Sequence, residues 1–203
     1  VCAEWDKHFI ITRAEVDEFA GWYNDKSSNT SYTVPNSILD WPAHGDASLG
    51  QSYYLAPFFD FNGDNFYSPE DGDYPYYELD SDADCNRSRD REPKLFGDQT
   101  LWYIFNDKGN VHTETDGDPI GLEVHAQEFA FATNDEINNM TFTNYRIINR
   151  STFTLIDTYF GTNFDPDVGD HCDDFVGCDV KRGLGYAYNG FAVDGTGAPT
   201  HYG

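Results

Sequence analysis

The chain has 203 residues, of which 39% are hydrophobic and 17% aromatic, enough to pack one domain and too much for global disorder. Its 36 acidic residues against 12 basic ones give a formal charge of −24, which excludes nucleic acid and anionic membrane as electrostatic partners. No apolar run approaches the roughly 20 residues of a membrane span, so membrane insertion is not expected.

Taken in order, the first element is a helix. Thr12 is a good N-cap and Glu15 completes a capping box. Val16, Phe19, Ala20 and Tyr23 then recur at helical spacing, which predicts a helix over residues 13–23. A polar loop follows. Ile38, Leu39 and Trp41 then read as a short turn anchored by buried side chains. His44 reads as a loop histidine bonded to backbone rather than as a catalytic group.

Residues 53–98 carry almost no regular pattern, and Pro57, Pro69, Pro75 and Pro93 punctuate them. A loop this long in a compact domain must be held by something. Metal together with Tyr and Phe packing is the economical answer. The decisive stretch begins at Asp60. Asp60, Asn62 and Asp64 stand at positions 1, 3 and 5 of a twelve-residue loop. Phe66 stands at position 7, where a backbone carbonyl would serve, Ser68 at 9 and Asp71 at 12. That is the ligand spacing of an EF-hand-type calcium loop, in which alternating oxygen donors wrap a hard cation. Position 12 is Asp rather than Glu, and position 6 is Asn65 rather than Gly, although Asn tolerates the left-handed conformation. No helical pattern flanks the loop, so it reads as a bare calcium loop and not a regulatory helix pair. Asp80, Asp82 and Asp84 repeat the alternation without a closing residue.

Beyond Thr100 the pattern becomes that of strands. Residues 101–105 are β-prone, 106–110 form a turn, and 111–115 return. Residues 121–132 alternate, with a switch at Phe129 that suggests a bulge. Residues 140–149 and 153–164 read as two long strands, and 183–189 as another short one. Strands without intervening helices predict a mainly β fold, an antiparallel β-sandwich or jelly-roll-like domain with long calcium-stabilised loops and one short N-terminal helix. Residues 1–98 would form a helix and loop-rich calcium-binding segment packed on a β core of 99–203, one domain overall.

A second acidic cluster follows, with Asp165, Asp167, Asp173, Asp174 and Asp179. Mutual repulsion makes such a cluster costly without a cation, so these five are candidate ligands of a second calcium ion. Carboxylate pairs also perform glycosidic chemistry, which makes a glycoside hydrolase built on 165–179 an alternative. Tyr53, Tyr54, Tyr74, Tyr76 and Tyr77 could stack on sugar rings, which gives a carbohydrate-binding module as a further alternative. The cysteines are Cys2, Cys85, Cys172 and Cys178. None forms a CxxC pair, and their even number suits an oxidising compartment. Cys172 with Cys178 would close a small loop and leave Cys2 with Cys85, but the spacing does not choose among the three pairings. No nucleophile elbow, phosphate loop or zinc-protease motif names a reaction, and no catalytic residue is assigned.

Several stretches carry a resemblance. Trp5-Asp6-Lys7-His8-Phe9, Trp41-Pro42-Ala43-His44-Gly45, Leu55-Ala56-Pro57-Phe58-Phe59-Asp60-Phe61-Asn62-Gly63-Asp64, Asn106-Asp107-Lys108-Gly109-Asn110-Val111-His112, Phe131-Ala132-Thr133-Asn134-Asp135-Glu136 and Tyr186-Ala187-Tyr188-Asn189-Gly190 together resemble the N-terminal region of large secreted proteins of the Bacteroidota. Those proteins are cargo of the type IX secretion system. The resemblance spans nearly the whole chain. It implies an exported, cell-surface or released protein, with no established chemistry, and a chain that is part of a longer one. The expected function is therefore a secreted, calcium-stabilised β module of structural or adhesive role. Its expected partners are copies of itself, other cell-surface proteins or a glycan.

Overall fold

The computed structural model describes residues 4–79, 93–109, 111–113 and 115–193. The protein is mostly sheet with few helices, and every named sheet is antiparallel. It divides into two compact units, Val1–Phe153 and Thr154–Gly203. Asp80, Asp82, Asp84, Cys2 and Cys85 lie outside the described residues.

The first unit is built on a four-stranded sheet of β1 (Phe9–Thr12), β4 (Gln99–Asn106), β5 (Leu122–Ala130) and β6 (Thr141–Asn149), in the order β1-β4-β5-β6. Between β1 and β4 the chain makes α1 (Arg13–Asn24), α2 (Asn36–Leu39) and the two-residue strands β2 (Phe58–Phe59) and β3 (Tyr74–Pro75), which pair with each other. Helix α1 starts where the capping box predicts. Thr12 Oγ1 accepts from Glu15 N at 3.2 Å, and Glu15 Oε2 accepts from Thr12 N at 2.9 Å. Its Val16 and Phe19 are buried against the core face of the sheet with Ile11, Ile38, Trp41, Tyr77, Leu95 and Trp102. Tyr77 ties the layers together, its hydroxyl lying 2.8 Å from Thr100 Oγ1 and 3.3 Å from Ile11 O. Burial pushes its pKa up to about 12.

Three strand expectations are corrected. The switch at Phe129 is not a bulge, because β4, β5 and β6 pair residue for residue through it. Phe129 instead packs across the strands on Phe142, ring centroids 5.4 Å apart, on the face of β5 opposite Leu122, Val124 and Ala126. Residues 111–113 and 115 form no returning strand. The turn is closed instead by Asp107, whose carboxylate accepts from the amides of Ile120, Gly121 and Leu122 at 2.5, 2.9 and 2.7 Å. Residues 153–164 form no strand either. Without a ladder partner their apolar side chains stay out, with Ile156 79% and Tyr159 91% exposed.

The second unit holds one hairpin, β7 (Asp174–Asp179) with β8 (Leu184–Asn189). Strand β7 occupies part of the acidic cluster that reads from sequence as loop. No described helix is long and apolar enough to cross a membrane.

Candidate functional site: the Asp60 loop

Asp60 turns its carboxylate into its own loop. Oδ1 accepts from Gly63 N at 2.7 Å and Asp64 N at 3.2 Å, and Oδ2 accepts from Asn65 N at 2.7 Å. Asn62 Oδ1 accepts from Asp64 N at 2.9 Å, and Asp64 Oδ1 accepts from Phe66 N at 2.8 Å. The backbone therefore winds around the side chains at positions 1, 3 and 5. That winding needs two left-handed residues, and Gly63 (φ 76°) and Asn65 (φ 64°) supply them. Asn65 thus adopts the conformation for which a calcium loop ordinarily uses glycine.

The remaining positions are freer. The Phe66 carbonyl and the Asp71 carboxylate have no hydrogen-bond partner among the described residues, and Asp71 is exposed. Ser68 sits at the start of a 3-10 turn over Pro69–Asp71. The carboxylates of Asp60, Asp64 and Asp71 are not drawn within 4.8 Å of one another, since the single such trio among the described residues lies elsewhere.

Sequence reasoning missed one residue here. Asp73, two places past the loop's formal end, is fully buried. Its Oδ1 accepts from Phe61 N and its Oδ2 from Ser68 N, each at 2.8 Å, which clamps both limbs of the loop. Burial raises its pKa, assisted by the charges of Asp60 and Asp64, although the two amide bonds act the other way. His44 clamps from outside. Its Nδ1 lies 3.1 Å from Tyr53 O, and its Nε2 accepts from Tyr67 N at 3.0 Å. Both contacts are satisfied only by the neutral tautomer with hydrogen on Nδ1. This is the backbone-bonded loop histidine expected from sequence.

The second cluster is only partly gathered. Asp173 and Asp174 each hold one Oδ1 shielded from solvent with no hydrogen-bond partner. Asp174 Oδ2 accepts from Val168 N at 2.8 Å, which draws the segment after Asp167 toward β7. Asp165 and Asp167 are exposed. Asp179 stands apart at the far end of β7, five residue steps from Asp174 or about 17 Å, bonded to Arg182 at 2.8 Å. It cannot share an ion with Asp174. Cys172 and Cys178 are free, exposed thiols, so the small disulfide loop is not formed. Among the described residues, the one trio of ligand atoms within 4.8 Å is Asp170, His171 and Cys172, on a turn where His171 and Cys172 are exposed. The Asp170 charge raises the Cys172 pKa, which opposes the thiolate that a zinc-type site requires.

The tyrosines divide. Tyr77 belongs to the core, Tyr74 stacks on Phe59 with centroids 4.8 Å apart, and Tyr53 and Tyr54 remain exposed beside His44. A polar cluster not legible in the sequence sits on β5. The Glu123 carboxylate, largely buried, accepts from Ser52 Oγ, His125 Nε2 and Arg150 at 2.7, 2.9 and 2.8 Å. Burial would raise the Glu123 pKa, but those three bonds outweigh it and hold it low. Burial against Trp102 holds the His125 pKa low.

Comparison with protein-family models, with curated proteins and with solved structures gives no match.

Proposed function

We propose that the chain is a secreted or cell-surface β module stabilised by calcium, with a structural or adhesive role that includes self-association. The observation that carries this reading is the winding of the Asp60 loop. Its backbone amides already orient the carboxylate at position 1, and Asn65 already holds the left-handed turn at position 6. The donors are hard oxygens, which suit calcium and not a softer metal. Asp60, Asn62, Asp64, the Phe66 carbonyl, Ser68 and Asp71 would hold the ion. The ion would supply a charge that offsets the repulsion among Asp60, Asp64 and the buried Asp73. Asp173 and Asp174, with their solvent-shielded unpaired oxygens, would hold a second ion with help from Asp165 and Asp167. The net charge of −24 favours the same conclusion, because bound divalent cations relieve self-repulsion.

The sandwich-type architecture belongs to this proposal. The outer face of the four-stranded sheet presents Ile10, Phe105, Tyr145 and Ile147 to solvent, and a second layer would cover them. Export through the type IX route belongs to it as well, on the strength of the sequence resemblance.

The test is equilibrium dialysis of the full chain against labelled calcium, followed by excess magnesium. At least one calcium ion retained per chain and resistant to magnesium supports the reading. A chain that retains none overturns it.

A further inference from the structure

The first unit has a cavity of about 650 Å³ beside β4, lined by residues 5–8 on one side and 103–106 on the other, with 49–52 closing over it. Side chains of a strand point alternately to opposite faces. Four consecutive β4 residues can therefore line one cavity only if it meets the strand from its edge. The pairing shows why the edge is open. Strand β1 matches β4 from Thr12↔Gln99 to Phe9↔Trp102 and stops, while β4 runs on to Asn106. Residues 5–8 line the cavity without joining the ladder.

The direction of the amides along that edge follows from two bonds. Arg13 N donates to Asp98 O on the β1 side, and Asp107 N donates to Leu122 O on the β5 side. Amide direction alternates along an antiparallel strand, so within β4 residues 100, 102, 104 and 106 turn their N–H and C=O toward β1. Ile104 and Asn106 thus present main-chain donors and acceptors to the cavity with no strand partner among the described residues.

We propose that this cleft binds an extended peptide, of basic character and from another protein, as an added strand against Ile104 and Asn106. Unpaired main-chain groups repeating at strand spacing match a peptide backbone. Charge selects its character. A second cavity shares Trp5, Lys7, Leu49 and Gln51 with the first and adds Glu4, Asp40 and Asp46, so with Asp6 the entrance carries four acids against Lys7. The same charge disfavours a second copy of this chain as donor, since each copy carries −24. This site is independent of calcium.

The test titrates the full chain with an eight-residue peptide of alternating lysine and valine, read by calorimetry. Two control peptides replace lysine with glutamate or methylate alternate backbone nitrogens. The lysine peptide binds, and each control binds at least about tenfold more weakly, the methylated one through one or two lost hydrogen bonds and the glutamate one through repulsion by the acids. In the protein, Asn106→Pro removes an outward N–H and binds about tenfold more weakly, while Asn106→Ala keeps the N–H and binds as the parent does. Proline is tolerated on an outward-facing edge position, and an unchanged thermal midpoint verifies folding. A second readout is hydrogen exchange, in which the Ile104 amide of the unsubstituted protein slows when peptide is added. Absence of binding by the lysine peptide, equal binding of its methylated form, or undiminished binding by Asn106→Pro overturns the proposal. Binding of neutral oligosaccharides in this cleft in place of the peptide overturns it too.

Discussion

Replacing Asp60 separates what the loop does alone from what an ion adds. Its carboxylate caps three backbone amides, those of Gly63, Asp64 and Asn65. Those amides are near solvent, so water takes them over when the side chain is removed. The loss is therefore on the scale of a helix cap, about 0.5–2 kcal/mol. For a domain of this size each kcal/mol moves the midpoint by roughly 2–4 °C, so Asp60→Ala in chelator melts about 1–8 °C lower. Calcium at 100 times its dissociation constant adds about 2.7 kcal/mol, or roughly 5–11 °C, to the parent protein. Asp60→Ala gains little of that increment. Asp60→Asn keeps an oxygen acceptor but not the charge, so it recovers part of the chelator stability and little of the calcium increment. The assay is thermal unfolding by tryptophan fluorescence in chelator and in millimolar calcium. All four tryptophans, Trp5, Trp22, Trp41 and Trp102, belong to the first unit, so the signal reports the unit that carries the loop. If Asp60→Ala keeps the full calcium increment, or the parent shows none, the assignment of the ion to this loop is refuted.

Other substitutions test the surroundings. Asn65→Gly, at φ 64°, relieves left-handed strain and leaves the midpoint equal or slightly raised, while Asn65→Val lowers it by about 1 kcal/mol or more in chemical denaturation. Asp73→Ala leaves Phe61 N and Ser68 N without their acceptor in a buried position and costs about 2–4 kcal/mol in the same measurement; a loss under about 0.5 kcal/mol would show that the clamp is dispensable. Tyr77→Phe loses about 1 kcal/mol, read as a fall in midpoint. Stability against pH tests the Glu123 cluster. The His125 and Glu123 pKa values are both held below their ordinary values, so both contributions are complete above the unfolded values of about 6.5 and 4.3. They are lost in that order as pH falls through each folded value. His125→Gln removes the first loss, and a parent midpoint that rises between pH 7 and 5 contradicts the reasoning.

Local signals were readable because they are complete within a few residues. The capping box of α1 needs only Thr12 and Glu15, and the winding around Asp60 needs only the alternation of oxygen donors with residues that tolerate positive φ. Strands β4, β5 and β6 carry strong β-prone runs, and the structure pairs them as an antiparallel sheet. What failed depended on partners. Residues 153–164 have the composition of a strand, but a strand exists only where another offers its edge. Strand β1 was missed because Phe9–Thr12 is four residues long and takes its identity from β4, far along the chain. Strand β7 was hidden by Asp174 and Asp179 at its ends. The Glu123 cluster joins Ser52, Glu123, His125 and Arg150 from separate segments, and Asp73 lies outside any calcium-loop spacing. Neither has a pattern in the sequence.

The pairing of β1 with β4 also governs when the first unit becomes a folded object. During synthesis Phe9–Thr12 emerges some 90 positions ahead of its partner Gln99–Trp102. Until then Ile11 has no sheet to join, and α1, at 12 residues, is too short to persist alone in water. Closure across such a span falls late and is slow compared with neighbouring-strand hairpins such as β4–β5 and β5–β6. A chain stopped before β4 is complete therefore stays open and protease-sensitive, and folding waits for a single long-range encounter.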